Sequence, residues 1–492
     1  MALIQVKDLT FSYPGSYDTI FDHVSFQIDT NWKLGFVGRN GRGKTTFLML
    51  LLGRYAYEGS IRTSVSFDYF PYAVEHPEAP TEDVLREVCP EAEDWEFLRE
   101  LNSLEVEEAA LHRPFNTLSH GEQTKALLAA LFLKEGNFLL IDEPTNHLDL
   151  RGRALVSAYL KRKRGFILVS HDRAFLDGCV DHILSLNRAD IQVCGGNFST
   201  WFETFSQRQR REAAQDTRLK KEIRNLQASA RRTADWSDRV EASKFGQGPV
   251  DRGYIGAKSA KMMKRAKTIE ARRQQAAEER SSLLKNAETA EALKLFPVPY
   301  HAARLLTCRD VAPVYHGRAI AQPVTFTLER GDRIALTGKN GSGKSSLLRL
   351  LLEPTAAHTG TITVGSGLIC SVVPQDASWL RGSLQDFIAA QRLEESLFKA
   401  ILRKLDFARA QFEKPMEDYS AGQKKKVLLA RSLCQRAHLY LWDEPLNYID
   451  LYSRMQLETL LLEFTPTMVL VEHDSAFLDA VATKRLTLQP LG

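Results

Sequence analysis

The chain is poor in the features that mark several protein classes. Its 492 residues hold six cysteines, Cys89, Cys179, Cys194, Cys308, Cys370 and Cys434, scattered with no CxxC pair. That pattern offers neither a disulfide framework nor a zinc module and fits thiols in a reducing compartment. Long apolar runs are also missing. The longest, Ala126–Leu133, is eight residues bounded by Lys125 and Lys134, far below the 18 or so residues a spanning helix needs. The opening "MALIQVKDLTFSYPG" lacks the charged-then-apolar layout of a secretory leader. Acidic residues are absent from Arg252 to Lys267, while Lys258, Lys261, Lys264, Arg265 and Lys267 crowd that stretch. The expectation is a soluble, cytoplasmic protein without a membrane partner of its own.

What is present is enough for large cores: 44% of residues are hydrophobic, and the length suggests two or three domains. Net charge is only +4, but residues 207–294 carry 22 Lys and Arg against 12 Asp and Glu, leaving −6 for the rest. Such a segment suits a polyanion; a solvated helical linker kept soluble by its charges accounts for the composition equally well.

The chain repeats itself. "GRNGRGKTTFL" (38–48) returns as "GKNGSGKSSLL" (338–348). Lys44 precedes Asp142 by 98 residues and Lys344 precedes Asp443 by 99. Ser119 of "LSHGEQ" and Ser420 of "YSAGQ" each lie 23 before that aspartate, and Glu143–His171 and Glu444–His473 are 28 and 29 apart. Matched features at matched spacing define two copies of one domain. Short apolar strands ("KLGFV", "RIALT", "NFLLI", "HLYLW", "GFILV", "TMVLV") run into these motifs, which predicts α/β domains with mainly parallel sheets and ligand residues at strand C-termini. The expected organisation is residues 1–199, a linker 200–299, and 300–492. The linker reads as two helical arms with a tip near 244–256, where "FGQGPVDRGYIG" (245–256) interrupts the composition. Arms of about 40 residues would project about 60 Å.

The chemistry follows from the repeats. Glycines in GxxxxGK[ST] let backbone N–H groups converge on phosphate oxygens at a helix N-terminus. This assigns Gly38, Asn40, Gly41, Gly43, Lys44, Thr45 and Thr46, and Gly338, Asn340, Gly341, Gly343, Lys344, Ser345 and Ser346, to ATP. Thr45 with Asp142, and Ser345 with Asp443, are candidate Mg²⁺ ligands. Glu143 and Glu444 would position and polarise the attacking water, and His171 and His473 would meet the γ-phosphate. Tyr13 and Tyr315, 25 and 23 residues before the loops, could stack on adenine or simply close a strand.

Glycine loop, "LSHGEQ"/"YSAGQ", "DEP" and the later histidine together resemble the ATP-binding cassette superfamily over about 1–200 and 302–490. The resemblance implies antiparallel and helical subdomains beside each parallel sheet, and two cassettes facing head to tail in a monomer. Lys44, Asp142 and Glu143 would then share an ATP with Ser420 and Gly422. Lys344, Asp443 and Glu444 would share another with Ser119 and Gly121. The superfamily's linking glutamine fits Gln375 in "VVPQ", a further candidate at the Mg²⁺ site. "YFPYAV" places Tyr72 there instead, and no glutamine occurs between Gln27 and Gln123. His120 stands where the signature usually has glycine. Two unequal sites are expected.

Two cassettes joined by a charged helical hairpin resemble the ABC-F translation factors. Within them "WDEPLNYID", "VEHD" and "DRGYIGAKSAKMMKRAKTIEARRQQ" are similar to the Lsa and Vga type resistance group. That likeness implies binding in the exit-tRNA (E) site of the 70S ribosome, contacts with 23S rRNA and P-site tRNA, and protection of the peptidyl-transferase centre from lincosamide, pleuromutilin and streptogramin A type drugs. Lys244, Phe245, Arg252, Tyr254, Lys258, Lys261, Lys264, Arg265 and Lys267 are the candidate RNA contacts. Phe245 and Tyr254 could equally pack their own turn, and Trp236, Met262 and Met263 read as the hairpin's seam. The alternatives are a housekeeping ABC-F factor rescuing stalled ribosomes, the ATPase subunit of an exporter, and a DNA-repair cassette protein. The last usually carries cysteines in its insertion, and 195–307 has none.

Overall fold

The structure, a computed structural model, describes residues 2–14, 19–186, 191–242, 252–284 and 293–491. Both repeats fall in one compact unit, and residues 200–289 belong to a second.

Each repeat combines an antiparallel and a parallel sheet. In the first, strands β1 (Leu3–Ser12), β2 (Thr19–Asp29), β3 (Lys33–Gly38), β4 (Glu58–Arg62), β5 (Ser66–Phe70), β6 (Asn137–Asp142), β7 (Phe166–Val169), β8 (His182–Leu186) and β9 (Ile191–Gly195) form orders β2-β1-β4 and β5-β6-β7-β3-β8-β9. The larger sheet is parallel apart from β9, which pairs antiparallel with β8. The second repeat has β10 (Arg304–Tyr315), β11 (Arg318–Ala319), β12 (Val324–Glu329), β13 (Arg333–Thr337), β14 (His358–Val364), β15 (Cys370–Val373), β16 (Leu439–Asp443), β17 (Met468–Val471) and β18 (Lys484–Thr487). Its parallel sheet runs β15-β16-β17-β13-β18, while β11, β12 and β14 pair with β10.

Unbroken apolar runs make these central strands. Phe138–Ile141, Phe166–Val169 and Met468–Val471 are buried throughout, as a sheet covered on both faces requires. Each repeat therefore places three strand C-termini side by side: β3, β6 and β7 in one, β13, β16 and β17 in the other. In such sheets ligands bind at that edge. The two-cassette α/β fold expected from the repeats is the fold observed.

The linker holds helices Phe198–Ala242 and Arg252–Leu284. Gln215 Nε2, midway along the first helix, donates to Glu279 Oε1 near the end of the second at 3.3 Å, and Leu219 and Ala276 are buried. The structure corrects the expected linker in three places. The first helix begins at Phe198, ahead of the expected linker start at 200. Arg252–Gly256 are helical, so the break is narrower than 245–256; the Ala/Lys/Met-rich run that follows carries Gly253 and Gly256 despite a cost of about 1 kcal/mol per glycine. Leu293 and Leu295 lie in the core of the second cassette, although the expected linker extends to 299. Lys244, Phe245 and the proposed tip up to residue 251 lie outside the described residues, as do the side chains of Trp236, Met262 and Met263.

Candidate functional site

The two glycine loops connect β3 and β13 to helices Lys44–Leu51 and Lys344–Leu352. Gly43 and Gly343 cap these helices at φ 102° and 86°, left-handed values that exclude ordinary side chains. A Cβ on Gly43 would also stand 2.4 Å from Ile20 Cγ2. Lys44 Nζ donates to the carbonyls of Gly38 and Arg39 at 2.7 and 3.0 Å, and Lys344 Nζ to those of Gly338 and Lys339, both at 2.9 Å. Both ammonium groups are buried, and burial lowers their pKa values against the pull of nearby carboxylates, Glu143 first for Lys44 and Glu444 first for Lys344. An anion in the loop would relieve that cost.

At the strand ends, Thr45 Oγ1 donates to Asp142 Oδ2 at 2.8 Å, and Ser345 lies beside Asp443. Burial pushes Asp443 up to about 6 and also raises Asp142. Asp443 Oδ1 and Glu143 Oε1 are buried without a hydrogen bond. A hydroxyl and one carboxylate per site, with a buried carboxylate oxygen beside them that has no hydrogen-bond partner (Glu143 Oε1 in the first, Asp443 Oδ1 in the second), suit a hard cation that keeps waters and phosphate oxygens as its other ligands, as Mg²⁺ does. The residues present therefore fit Mg²⁺ with ATP.

Glu143 and Glu444 both have left-handed backbones, φ 51° and 47°, a strain expected where surroundings impose a side-chain direction. His171 Nε2 lies 2.9 Å from Asn40 Oδ1 and 3.4 Å from Glu143 Oε1. His473 Nε2 stands 3.6 Å from Glu444 Oε1, in ion-pair range but beyond a hydrogen bond. The two glutamates differ. Burial, reinforced by Asp142, pushes Glu143 up to about 8. Burial acts on Glu444 too, but His473, the Gln375 amide and the Lys425 ammonium hold it below the usual range. Gln375 Nε2 donates to Glu444 Oε2 at 2.9 Å.

Ser119 and Ser420 cap helices His120–Leu133 and Ala421–Cys434, in capping boxes with Glu122 and Gln423. A cavity of about 660 Å³ joins the cassettes, with Ser119, His120 and Gly121 of the first opposite Lys344, Ser345 and Glu444 of the second. This is the head-to-tail pairing expected for the second glycine loop, in a volume usual for small-ligand sites. At the first loop, Asn40 Nδ2 donates to the carbonyl of Tyr448 at 3.0 Å. A Cβ on Gly422 would sit 2.5 Å from that same carbonyl oxygen, so the signature of the second cassette packs beside the loop of the first. Arg39 reaches across as well, 3.7 Å from Asp406 and over the Tyr452 ring.

Tyr13 and Tyr315 flank their loops: Tyr13 Oη is 2.8 Å from Thr46 Oγ1, and Ser346 Oγ donates to Tyr315 Oη at 3.4 Å. Both rings are exposed. Lys261, Lys264, Arg265 and Lys267 are exposed on the second linker helix; Arg252, Tyr254 and Lys258 lie in that helix.

Sequence reading missed several residues. Tyr69 reaches the acidic pair, its hydroxyl donating to Asp142 Oδ2 at 3.1 Å. Arg153 and Arg454 bind the buried Asp172 and Asp474 at 2.8 and 3.3 Å. The signal was present: Asp149–Arg153 and Asp450–Arg454 repeat at a spacing of four. Lys425 Nζ donates to the carbonyls of Pro374 and Asp443, and burial brings its pKa down to about 8. Lys426 pairs with buried Asp450 at 3.1 Å. Glu472 of "VEHD" is buried and accepts from the N–H groups of Leu446 and His473.

Comparison with known proteins agrees with this geometry. The profile of a family described as ABC transporter matches residues 21–146 and 321–447. Ribosome protection protein VmlR of Bacillus subtilis (strain 168) is 27% identical, covering 98% of this chain and 86% of its own. Energy-dependent translational throttle protein EttA of Escherichia coli O6:H1 is 27% identical, covering 96% and 90%. Among solved structures, an archaeal ribosome recycling factor in complex with ribosomal stalk protein aP1 aligns with TM-score 0.65 at 18% identity, covering 98% of this chain and 87% of that one.

Proposed function

Because the chain belongs to the ABC transporter family, with both cassettes matched and a resemblance to its ABC-F branch, we propose that it is an ATP hydrolase that binds the ribosome. In this reading the chain is a cytoplasmic monomer that acts from the E site of the 70S particle and protects the peptidyl-transferase centre from lincosamide, pleuromutilin and streptogramin A type drugs. Residues 1–199 and 300–492 are the cassettes, and 200–299 is the part that meets RNA. The observation that carries the ATPase half is the composite cavity, which brings the signature of one cassette opposite the loop and glutamate of the other.

Lys44 and Lys344 leave their loop carbonyls for phosphate, and Ser119/Gly121 and Ser420/Gly422 receive the same nucleotides from the facing cassette. Thr45, Asp142, Ser345, Asp443 and Gln375 would hold Mg²⁺, which supplies charge neutralisation on the phosphates. Glu444, kept ionised beside His473, orients water as general base, help usually worth roughly 10²–10⁴ in rate. Glu143 has the same task with a more basic carboxyl.

Support for a ribosomal target comes from the exposed Lys261, Lys264, Arg265 and Lys267 and from two relatives, a ribosome protection protein and a translational throttle protein. Among the described residues no helix is long and apolar enough to cross a membrane. The match to a translational throttle protein supports a second reading, a housekeeping factor without a drug role.

Drug susceptibility separates the two readings. Cells expressing the chain should survive higher concentrations of a lincosamide or pleuromutilin, and deletion of residues 245–250 should abolish that protection. Unchanged susceptibility would favour the housekeeping factor; protection that survives the deletion would refute the tip assignment.

A further inference from the structure

The two ATP sites differ in the side chain that the outermost core strand contributes. In the first, Tyr69 on β5 stands in register with Leu140 on β6, two residues before Asp142. In the second, Val372 on β15 stands in register with Leu441 on β16, two residues before Asp443. Tyr69 and Val372 therefore occupy the same place in the two sheets. Only the tyrosine carries a donor, and it spends it on Asp142 Oδ2 at 3.1 Å, the oxygen that also accepts from Thr45 at 2.8 Å. The second site has a different donor in a different place: Gln375, just beyond β15, bonds Glu444 Oε2 rather than Asp443.

From this geometry we propose that Tyr69 is a positioning residue specific to the first ATP site: its hydroxyl fixes the carboxylate of Asp142 for Mg²⁺, a task that no side chain of β15 performs at the second site. The proposal rests on the ATP-binding reading above. The half-buried phenol keeps Oδ2 of Asp142 aligned with Thr45 in the resting protein. A carboxylate fixed by such a partner need not be reordered when the cation arrives, and loss of an outer partner typically costs about 10–100-fold in metal affinity. The donor at the second site instead steadies the water-orienting glutamate. One site is thus built to hold its cation and the other to hold its general base.

The test uses full-length protein and a fluorescent ATP analogue, mant-ATP, whose bound fraction is followed by anisotropy as Mg²⁺ is titrated. Lys344→Ala leaves the first site to report, and Lys44→Ala leaves the second. Tyr69→Phe removes only the hydroxyl. In the Lys344→Ala protein it should raise the half-saturating Mg²⁺ about tenfold or more, and in the Lys44→Ala protein it should leave that value unchanged. No shift in either background, or equal shifts in both, would overturn the proposal; so would a lowered unfolding midpoint with unchanged Mg²⁺ dependence, which marks a purely structural tyrosine. If neither lysine substitution lowers the number of analogue molecules bound per chain, the ATP-site reading itself fails, a result distinct from the others.

Discussion

Nη1 of Arg153, in the first cassette, donates at 3.0 Å to the backbone carbonyl of His473 in the second, and at 2.8 Å to the carboxylate of Asp172 in its own. All three residues are buried. A single guanidinium thus ties the helix after one strand-end acidic pair to the histidine facing the other. Arg173 and Glu458 form an ion pair between the cassettes, as do Arg39 and Asp406.

Replacing Arg153 by alanine leaves Asp172 buried without its cation. Breaking such a pair typically costs about 3–5 kcal/mol, so the urea midpoint of Arg153→Ala should fall markedly. Turnover that depends on Glu444 should fall more than turnover that depends on Glu143, because the lost bond ends on His473. Comparing Arg153→Ala in Glu143→Gln and Glu444→Gln backgrounds measures this split.

A buried network in the first cassette predicts acid sensitivity. Burial would raise the Glu100 carboxyl, but hydrogen bonds from Lys163 and from Tyr159, the latter at 2.6 Å, hold it below the ordinary value. A depressed folded pKa contributes stability that is complete above the unfolded value, about 4.3, and is lost as pH falls through the folded one. Glu100→Gln should therefore lower stability at pH 7, by about 1–3 kcal/mol, and lower it less at pH 4. Urea unfolding at the two pH values checks the sign.

The linker makes an ionic-strength prediction. Lys261, Lys264 and Lys267 are exposed on one helix. If they meet RNA phosphates, replacing all three by alanine should weaken ribosome binding and flatten its dependence on the logarithm of salt concentration. Each lost phosphate contact is worth about 0.7–0.9 in slope, so the expected reduction is about 2–3. An unchanged slope would assign these lysines to solvent.

Much of the fold was legible because the repeat printed it twice. Equal spacings fixed the glycine loops, the DE pairs and the histidines at strand C-termini, and local patterns made those strands apolar. What escaped depends on pairing distant in sequence. Tyr69 reaches Asp142 through the register of β5 on β6, which no local pattern encodes. Arg153 finds His473 across 320 residues. The inequality of Glu143 and Glu444 depends on burial and on Gln375, which only the assembled sheet brings into contact. The linker boundary was misplaced because glycines in "RGYIG" signal a break locally, whereas the helix-forming run behind them carries the helix through.

The most direct test of the account traps the ATP-bound state. The double variant Glu143→Gln, Glu444→Gln removes both water-orienting carboxylates and leaves Lys44, Lys344 and both signature serines in place. Pelleted with 70S ribosomes in the presence of Mg²⁺ and ATP, it should travel with them, and it should remain in the supernatant when ATP is omitted. A trapped protein that stays in the supernatant with ATP present would contradict the ribosomal reading.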